Sequence, residues 1–183
     1  MNGPLEQSVT TARLTISATE PDWCRERPCR FWDPSRRLLN AIRQYQSWSQ
    51  ATGMRAIIGR VCTRRWVLSH RFWSVVTGAD IPLNCQIEGG LLIPHPNGIV
   101  IHPEARIGPN CLIFQQVTIG ANSPREGFPV LGGHVDVGAG AKILGPLRIG
   151  NHVRIGANAV VLGDIPSNAV AVGVPAQVKA NAT

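Results

Sequence analysis

Aliphatic residues recur every six positions over most of the C-terminal half of the chain. They fall at Ile81, Ile87, Ile93, Ile101, Ile107, Ile113, Ile119, Leu131, Val137, Ile143, Ile149, Ile155 and Val161. Neither an α-helix, with a period of 3.6 residues, nor an isolated strand, with a period of 2.0, produces this repeat. A triangular coil does, since three sides of six residues give about eighteen residues per turn. The pattern therefore predicts a β-solenoid whose aliphatic side chains stack inward.

The six-residue repeat is interrupted twice. Eight positions rather than six separate Ile93 from Ile101, which predicts a bulge over residues 94–100. Twelve positions separate Ile119 from Leu131, and Arg125 stands where an inward aliphatic residue is due. We expect residues 121–130 to leave the coil as a loop, and loops on a rigid scaffold often carry function.

The N-terminal part has helical rather than six-residue periodicity. Residues 1–30 lack any period, and we expect them to be extended or partly disordered. Asp33 and Pro34 form a helix start, with Asp as the N-cap, and a helix of about fifteen residues should follow. A second helix should run from about Met54 to Val76 and end at Gly78. Its apolar stripe contains Ile57, Ile58, Val61, Trp66, Leu68, Phe72 and Val75.

This pattern divides the chain into two regions. Residues 1–78 form an N-terminal extension and helical cap, and residues 79–183 form the solenoid with its extruded loop. An open solenoid end exposes apolar core, so it needs a cap. We expect Trp66, Phe72 and Trp73 to plug one end of the coil.

The positive charge of the chain is confined to the first region. Residues 1–78 contain twelve Arg and five Asp or Glu, whereas residues 79–183 contain six basic and six acidic residues. An RNA-binding or membrane-surface-binding arm is one interpretation. We favour a solvated basic face on the helical cap, because the chain has no aromatic–basic motif of a known nucleic-acid module.

The cysteines and the hydropathy indicate a cytoplasmic protein. The chain contains five cysteines, without metal-ligand spacing, and we predict no metal site. Cys85 and Cys111 occupy inward positions and should be small buried thiols. An odd number of cysteines and the lack of a signal peptide favour a reducing compartment, and no apolar run is long enough for a spanning helix.

Five segments of the coil resemble hexapeptide-repeat acyltransferases, and in particular serine acetyltransferase. They are residues 95–101 (HPNGIVI), 113–120 (IFQQVTIG), 137–145 (VGAGAKILG), 155–161 (IGANAVV) and 172–176 (VGVPA). The resemblance implies a mainly β fold, a left-handed parallel β-helix with a short helical cap. It also implies an acetyl-CoA-dependent O-acetyltransferase that assembles as a homotrimer with active sites between subunits.

His95 is the candidate general base. O-acetyl transfer needs a group that takes the proton of the attacking hydroxyl, and a carboxylate that orients this group. His95 lies in the first register break, and the resemblance matches it to the catalytic base and Asp80 to its carboxylate partner. Their separation of fifteen residues is close to one turn of the coil. For His70, His134 and His152 we expect surface positions, and for His102 a structural or solvent-facing role.

The resemblance also implies a site for acetyl-CoA in the groove between subunits. Small residues must line such a groove so that the pantetheine can approach the backbone. Gly120, Ala139 and Ala157 match these positions, and Arg154 matches a cation near the nucleotide.

The chain departs from the family where the amino-acid substrate is bound. Pro94 replaces an acidic residue before the base, and Gly127 and Phe128 replace an Arg-His pair in the loop. Arg125 can substitute for that Arg only if the loop shifts, and Phe128 offers a wall for the acceptor. Serine acetylation remains the first hypothesis, and acetylation of a sugar hydroxyl in surface polysaccharide is the alternative. A third hypothesis is a non-catalytic solenoid that binds a partner through its basic helices.

Overall fold

The computed structural model of the chain describes residues 16–121, 123 and 127–180. Two helices, α1 (Pro34–Ser49) and α2 (Met54–Thr77), pack against each other ahead of a coil of short strands. The described strands are β1 (Gln86–Ile87), β2 (Val100–Ile101), β3 (Arg106–Ile107), β4 (Leu112–Ile113), β5 (Thr118–Gly120), β6 (Val130–Leu131), β7 (Asp136–Val137), β8 (Lys142–Leu144), β9 (Arg148–Ile149), β10 (Arg154–Ile155), β11 (Val160–Val161), β12 (Ala169–Val172) and β13 (Gln177–Ala180).

The strands form three sheets, one for each side of a triangular coil, and all pair in parallel except β13. Sheet 1 has the order β1-β3-β6-β9, sheet 2 the order β13-β12-β10-β7-β4, and sheet 3 the order β11-β8-β5-β2. Val100 pairs with Thr118, eighteen residues later, as the repeat predicts. Gln86 pairs with Arg106, twenty residues later, across the bulge, and Arg106 pairs with Val130 across the loop. The two register breaks therefore lengthen single turns without disturbing the stack.

The predicted core of the coil is confirmed. All thirteen aliphatic residues of the repeat are buried. Cys85 and Cys111 are also buried, and burial raises the pKa of Cys85 to about 11 and that of Cys111 to about 12. Both thiols therefore stay neutral and unreactive at physiological pH.

The end of the coil is capped by α1, so the prediction that aromatic residues of α2 plug it is largely wrong. Leu38, Leu39 and Ile42 of α1 belong to the buried core of the coil. On α2, Trp73 packs against that core, but Phe72 is more than half exposed. The other stripe residues whose exposure the structure describes are not buried either: Val61, Leu68 and Val75 are exposed, and Trp66 is half-buried. The apolar face of α2 is thus directed away from the coil.

In the described part of the N-terminal extension, from residue 16 on, hydrogen bonds hold the chain against the coil, which the prediction of an extended or partly disordered segment did not include. The Asn110 side chain lies at a corner of the coil, donates to the carbonyl oxygens of Ser17 and Glu20, and accepts from the Asp22 amide. A short 3-10 turn, Trp23–Glu26, follows. This segment has no hydrophobic period because hydrogen bonds to the Asn110 side chain, rather than a row of apolar side chains, hold it against the coil. Residues 1–15 lie outside the described residues.

The helix ends match the predictions except for one cap. Gly78 ends α2 in the left-handed region, with φ of 65°. Asp33 occupies the N-cap of α1 without capping it, because its carboxylate accepts from the Cys29 amide and contacts Arg36 instead. The coil closes with a hairpin, since β13 runs antiparallel to β12. Over the described part of the chain, no helix has the length and hydropathy to cross a bilayer.

Candidate active site

The turns between the sheets form three edges that run along the coil. The His95 edge joins sheet 2 to sheet 3 and consists of residues 94–99, 114–117, 138–141 and 156–159. The His102 edge joins sheet 3 to sheet 1, and its described residues are 102–105, 121, 123, 127–129, 145–147 and 162–164. The His134 edge joins sheet 1 to sheet 2 and consists of residues 88–91, 108–111, 132–135, 150–153 and 166–168.

The first register break places the His95 side chain outside the coil, as predicted. The imidazole is exposed and stacks on Phe114 of the next turn, with ring centroids 6.5 Å apart. It borders a cleft of about 390 Å³ between the helices and the coil. The cleft is lined by Pro34, Ser35, Val76, Thr77, Pro94, His95, Pro96 and Asn97. A small acceptor can therefore reach the ring from solvent.

Asp80 and His95 lie on adjoining segments, but no hydrogen bond joins them. The Asp80 amide donates to the Ile99 carbonyl oxygen at 2.8 Å, which sets Asp80 beside strand β2 just after the His95 bulge. Both side chains are exposed, and within the described residues His95 makes no side-chain hydrogen bond. The spacing argument is consistent with this arrangement, and the dyad itself stays a prediction.

Two of the small residues expected to line the acetyl-CoA groove stack on the His95 edge. The Asn158 amide donates to the Ala139 carbonyl oxygen at 2.8 Å, which places Ala139 and Ala157 in the same corner of successive turns. A Cβ atom added to Gly138 would lie 2.6 Å from the Ala157 nitrogen, so backbone is packed against backbone here. This edge is therefore narrow and free of large side chains at two successive turns.

Gly120 and Arg154 lie elsewhere on the coil. Gly120 is buried at the end of β5, next to the His102 edge, and thus at the opposite end of sheet 3 from Ala139. Arg154 is exposed on β10 in sheet 2, beside Asp136 and Val170. A single chain does not bring all four candidate acetyl-CoA residues to one edge.

Phe128 contacts His102 rather than His95. The two rings stack with centroids 4.1 Å apart and an angle of 14° between their planes. His102 Nδ1 accepts a hydrogen bond from the Glu104 amide at 3.1 Å, so the proton of the neutral ring is on Nε2. The expected structural role of His102 is thereby specified: it supports Phe128 on the His102 edge. Arg125 lies outside the described residues.

The other histidines are less exposed than expected. His70 Nε2 lies 2.8 Å from the Ile81 carbonyl oxygen and so ties α2 to the start of the coil. His134 and His152 are half-buried on successive turns, with their Nδ1 atoms 2.8 Å apart. Burial lowers the pKa of His134, and His152 and Arg25 lower it further against the opposing effect of Asp136. Neither residue lies on the His95 edge.

The described residues contain no group of three or more His, Cys, Asp or Glu side chains placed to hold a metal ion. His95 presents an exposed imidazole on an edge that is narrow at Ala139 and Ala157. Such an imidazole can act as a general base toward a hydroxyl.

Sequence comparison relates more than half of the chain to serine acetyltransferases. No family model matches the chain. The serine acetyltransferase of Synechococcus elongatus is 44% identical over 114 residues, which are 61% of this chain and 46% of that protein. That of Helicobacter pylori strain J99 is 45% identical over 104 residues, 56% of this chain and 61% of that protein. The matched region spans about half the length of the curated relatives.

Structural comparison gives the same result. A serine acetyltransferase in complex with CoA superposes with a TM-score of 0.66 and 29% identity, over 81% of this chain and 58% of that one. The soybean serine acetyltransferase complexed with serine gives a TM-score of 0.64 and 32% identity, over 78% and 56% of the two chains. The resemblance to hexapeptide-repeat acyltransferases and the fold class, a left-handed parallel β-helix with a helical N-terminal part, are thus confirmed.

Proposed function

We propose that the chain is an acetyl-CoA-dependent O-acetyltransferase in which His95 is the general base. The observation that carries the proposal is that His95 lies exposed in a cleft at one end of an edge, and that Ala139 and Ala157 lie on the same edge two and three turns further along the coil. The similarity to serine acetyltransferases, one of them in complex with CoA, supports acetyl-CoA as the donor. We propose no metal in this reaction.

The proposed reaction needs one proton acceptor and one thioester. His95 takes the proton of the acceptor hydroxyl while the oxygen attacks the acetyl carbonyl carbon. The resulting oxyanion reforms the carbonyl, the carbon–sulfur bond breaks, and His95 returns the proton to the CoA sulfur. Asp80 would orient the ring and stabilise the imidazolium, which requires its carboxylate to turn toward His95. Backbone amides of the groove are suited to stabilise the oxyanion.

The acetyl-CoA groove is proposed to lie between subunits of a homotrimer. Gly120 and Phe128 stand at the end of sheet 3 opposite to the His95 edge, so they can contribute to the same site only from a neighbouring chain. Ala139 and Ala157 would then admit the pantetheine, and Arg154 would lie near the nucleotide. Arg125 is proposed to border the acceptor.

We predict that the protein is a trimer at micromolar concentration. Light scattering coupled to gel filtration should give three times the chain mass of 19.7 kDa. A stable monomer that still releases CoA would contradict both the trimer and the shared site.

L-Serine is the first proposed acceptor, because the relatives in both comparisons are serine acetyltransferases. A sugar hydroxyl is the second candidate, and the ring of Phe128 favours it. That ring is held in place by His102 and presents an apolar surface on which a sugar can stack. The test is CoA release with L-serine and with a panel of sugars. If neither supports CoA release, the third hypothesis remains, a non-catalytic solenoid that binds a partner through its basic helices.

Phe128→His should raise turnover on serine or lower the serine concentration that half-saturates the enzyme. An imidazole at this position supplies a polar partner for the zwitterion, and unpaired polar groups discriminate strongly between substrates. Phe128→Leu is the matched control, since it removes the aromatic ring without adding a nitrogen. A wild-type enzyme that is efficient on millimolar serine and is not improved by Phe128→His would refute the role of Phe128.

The proposed compartment is the cytoplasm. All five cysteines are free thiols, and two of them, Cys24 and Cys29, are exposed. Free exposed thiols suit a reducing environment.

A further inference from the structure

The outer face of α2 is an apolar stripe that nothing in the chain covers within the described residues. Val61, Leu68, Phe72 and Val75 are spaced by seven, four and three residues, which places them on one side of a helix. Their exposed fractions are 71%, 66%, 55% and 84%. Four large apolar side chains in one row on a helix exceed the scattered exposure that is normal for a protein surface.

Aromatic residues extend this stripe at the end of α2 that is nearest to the coil. Phe72 and Trp32 both pack edge-on against Trp73, with ring centroids 4.9 Å and 5.6 Å from it. Trp32 and its neighbour Phe31 remain 60% and 90% exposed. We call the set Phe31, Trp32, Val61, Leu68, Phe72 and Val75 the outer face.

The charge around the outer face has one sign. Arg64, Arg65 and Arg71 are exposed on the same helix. Residues 34–78 contain eight Arg and no Asp or Glu. A second copy of the chain that docked through this face would bring two such basic surfaces together without a carboxylate on either helix pair. The charge pattern therefore disfavours self-association here and favours an anionic occupant.

We propose that the outer face docks on an anionic lipid surface. A helix with a row of Phe, Leu and Val flanked by Arg is the arrangement by which proteins lie in the interface of a bilayer. Trp prefers the headgroup region, and Trp32 of the outer face is 60% exposed. The convex face of a single helix suits a fluid surface, and the Arg side chains gain from the negative potential of anionic lipids.

Docking would also position the proposed active site. Val76 and Thr77 follow the stripe directly in α2, and both line the cleft that contains His95. The cleft would thus lie within one helical turn of the lipid surface. The docking itself does not depend on the acetyl transfer reaction, and it is tested without it.

Co-sedimentation of the full chain with vesicles tests the proposal. We expect binding to vesicles of phosphatidylcholine with phosphatidylglycerol in a ratio of about 3:1, and at least about tenfold weaker binding to phosphatidylcholine alone. Raising the salt from about 0.1 M to about 1 M shortens the screening length from about 10 Å to about 3 Å and should weaken the binding. Failure to bind the anionic vesicles would overturn the proposal and leave the face to a protein partner.

Matched variants distinguish vesicle binding through the outer face from nonspecific hydrophobic binding. Leu68→Ser/Val75→Ser should weaken vesicle binding about tenfold or more, because two side chains that insert among lipids are removed. Leu162→Ser/Val178→Ser removes two exposed apolar side chains of the coil and should leave binding unchanged. Arg64→Gln/Arg65→Gln should reduce the preference for anionic lipid, whereas Arg106→Gln/Arg148→Gln on sheet 1 should not.

Two results would overturn the assignment of the face. Equal losses in the outer-face and coil variants would show that binding is nonspecific. A change in particle mass on Leu68→Ser/Val75→Ser, with unchanged circular dichroism, would show that the face joins copies of the chain instead.

Discussion

Replacement of His95 by alanine is expected to lower the turnover of CoA release by about two to four orders of magnitude. The acceptor hydroxyl is a weak nucleophile until its proton is removed, and His95 is the exposed imidazole of the cleft between helices and coil. Asp80→Asn should lower turnover less, since the carboxylate acts through the ring of His95. Initial rates of CoA release at saturating acetyl-CoA measure both effects.

The same substitution should leave the fold nearly unaffected. His95 is exposed, makes no side-chain hydrogen bond within the described chain and stacks on Phe114 with ring centroids 6.5 Å apart, so we expect a change in unfolding free energy within about 0.5 kcal/mol. His152→Ala, on the His134 edge, is the control and should keep near-normal turnover. Activity of His95→Ala close to wild type would show that the general base is a different group.

The coil could be predicted from sequence because residues six positions apart have equivalent environments in it. An inward aliphatic residue every six positions specifies both the side of the triangle and the stacking, and Ile101 and Ile119 lie one above the other as expected. The two register breaks could also be predicted, since residues that exceed the six-residue repeat must protrude from the coil. His95 could be placed outside the coil for that reason alone.

The cap could not be predicted, because both helices have an apolar stripe and only one can face the coil. Leu38 and Ile42 of α1 fill the open end, while the larger stripe of α2 stays outside. Which of the two helices packs on the coil depends on the shape of the coil end, and the sequences of the helices give no information about that shape. The charge of residues 1–78 predicted a solvated basic face on the helical cap, and it did not predict the exposed apolar stripe on α2.

The repeat predicts the positions of the candidate site residues within one chain and nothing about contacts between chains. Ala139 and Ala157 share the His95 edge, as their equivalent positions in the repeat require. Phe128 and Gly120 fall on the other side of sheet 3, and the proposed site includes them only if a neighbouring chain contributes them, which the repeat of one chain cannot predict. The stacking of Phe128 on His102 had no sequence signal either, since it joins a loop to the turn below.

The ion pair between Glu26 and Arg43 was missed as well, and it lies where the extension, α1 and the coil meet. Arg43 donates from Nε and Nη2 to the two carboxylate oxygens of Glu26 at 2.9 Å and 2.8 Å. Arg43 also donates to the carbonyl oxygens of Ile87 and Glu88, and the Leu91 amide donates to Glu26 at 3.0 Å. The side chain of Glu26 is only 6% exposed. The sequence gives no signal for an ion pair between residues 26 and 43, because the segment that contains residue 26 has no periodicity.

Arg43→Met should therefore lower the free energy of unfolding by about 3–5 kcal/mol, because it leaves the buried Glu26 carboxylate without its cation and removes the hydrogen bonds to the Ile87 and Glu88 carbonyl oxygens. Urea denaturation at fixed protein concentration, followed by circular dichroism, measures the loss. Arg36→Met makes the same change on the same helix, but its partner Asp33 is 3.4 Å away in a partly exposed pair and its Nε donates to one carbonyl oxygen, that of Arg25, so the loss should stay within about 1–2 kcal/mol. Equal losses in the two variants would mean that the Glu26–Arg43 pair does not fasten the extension and α1 to the coil.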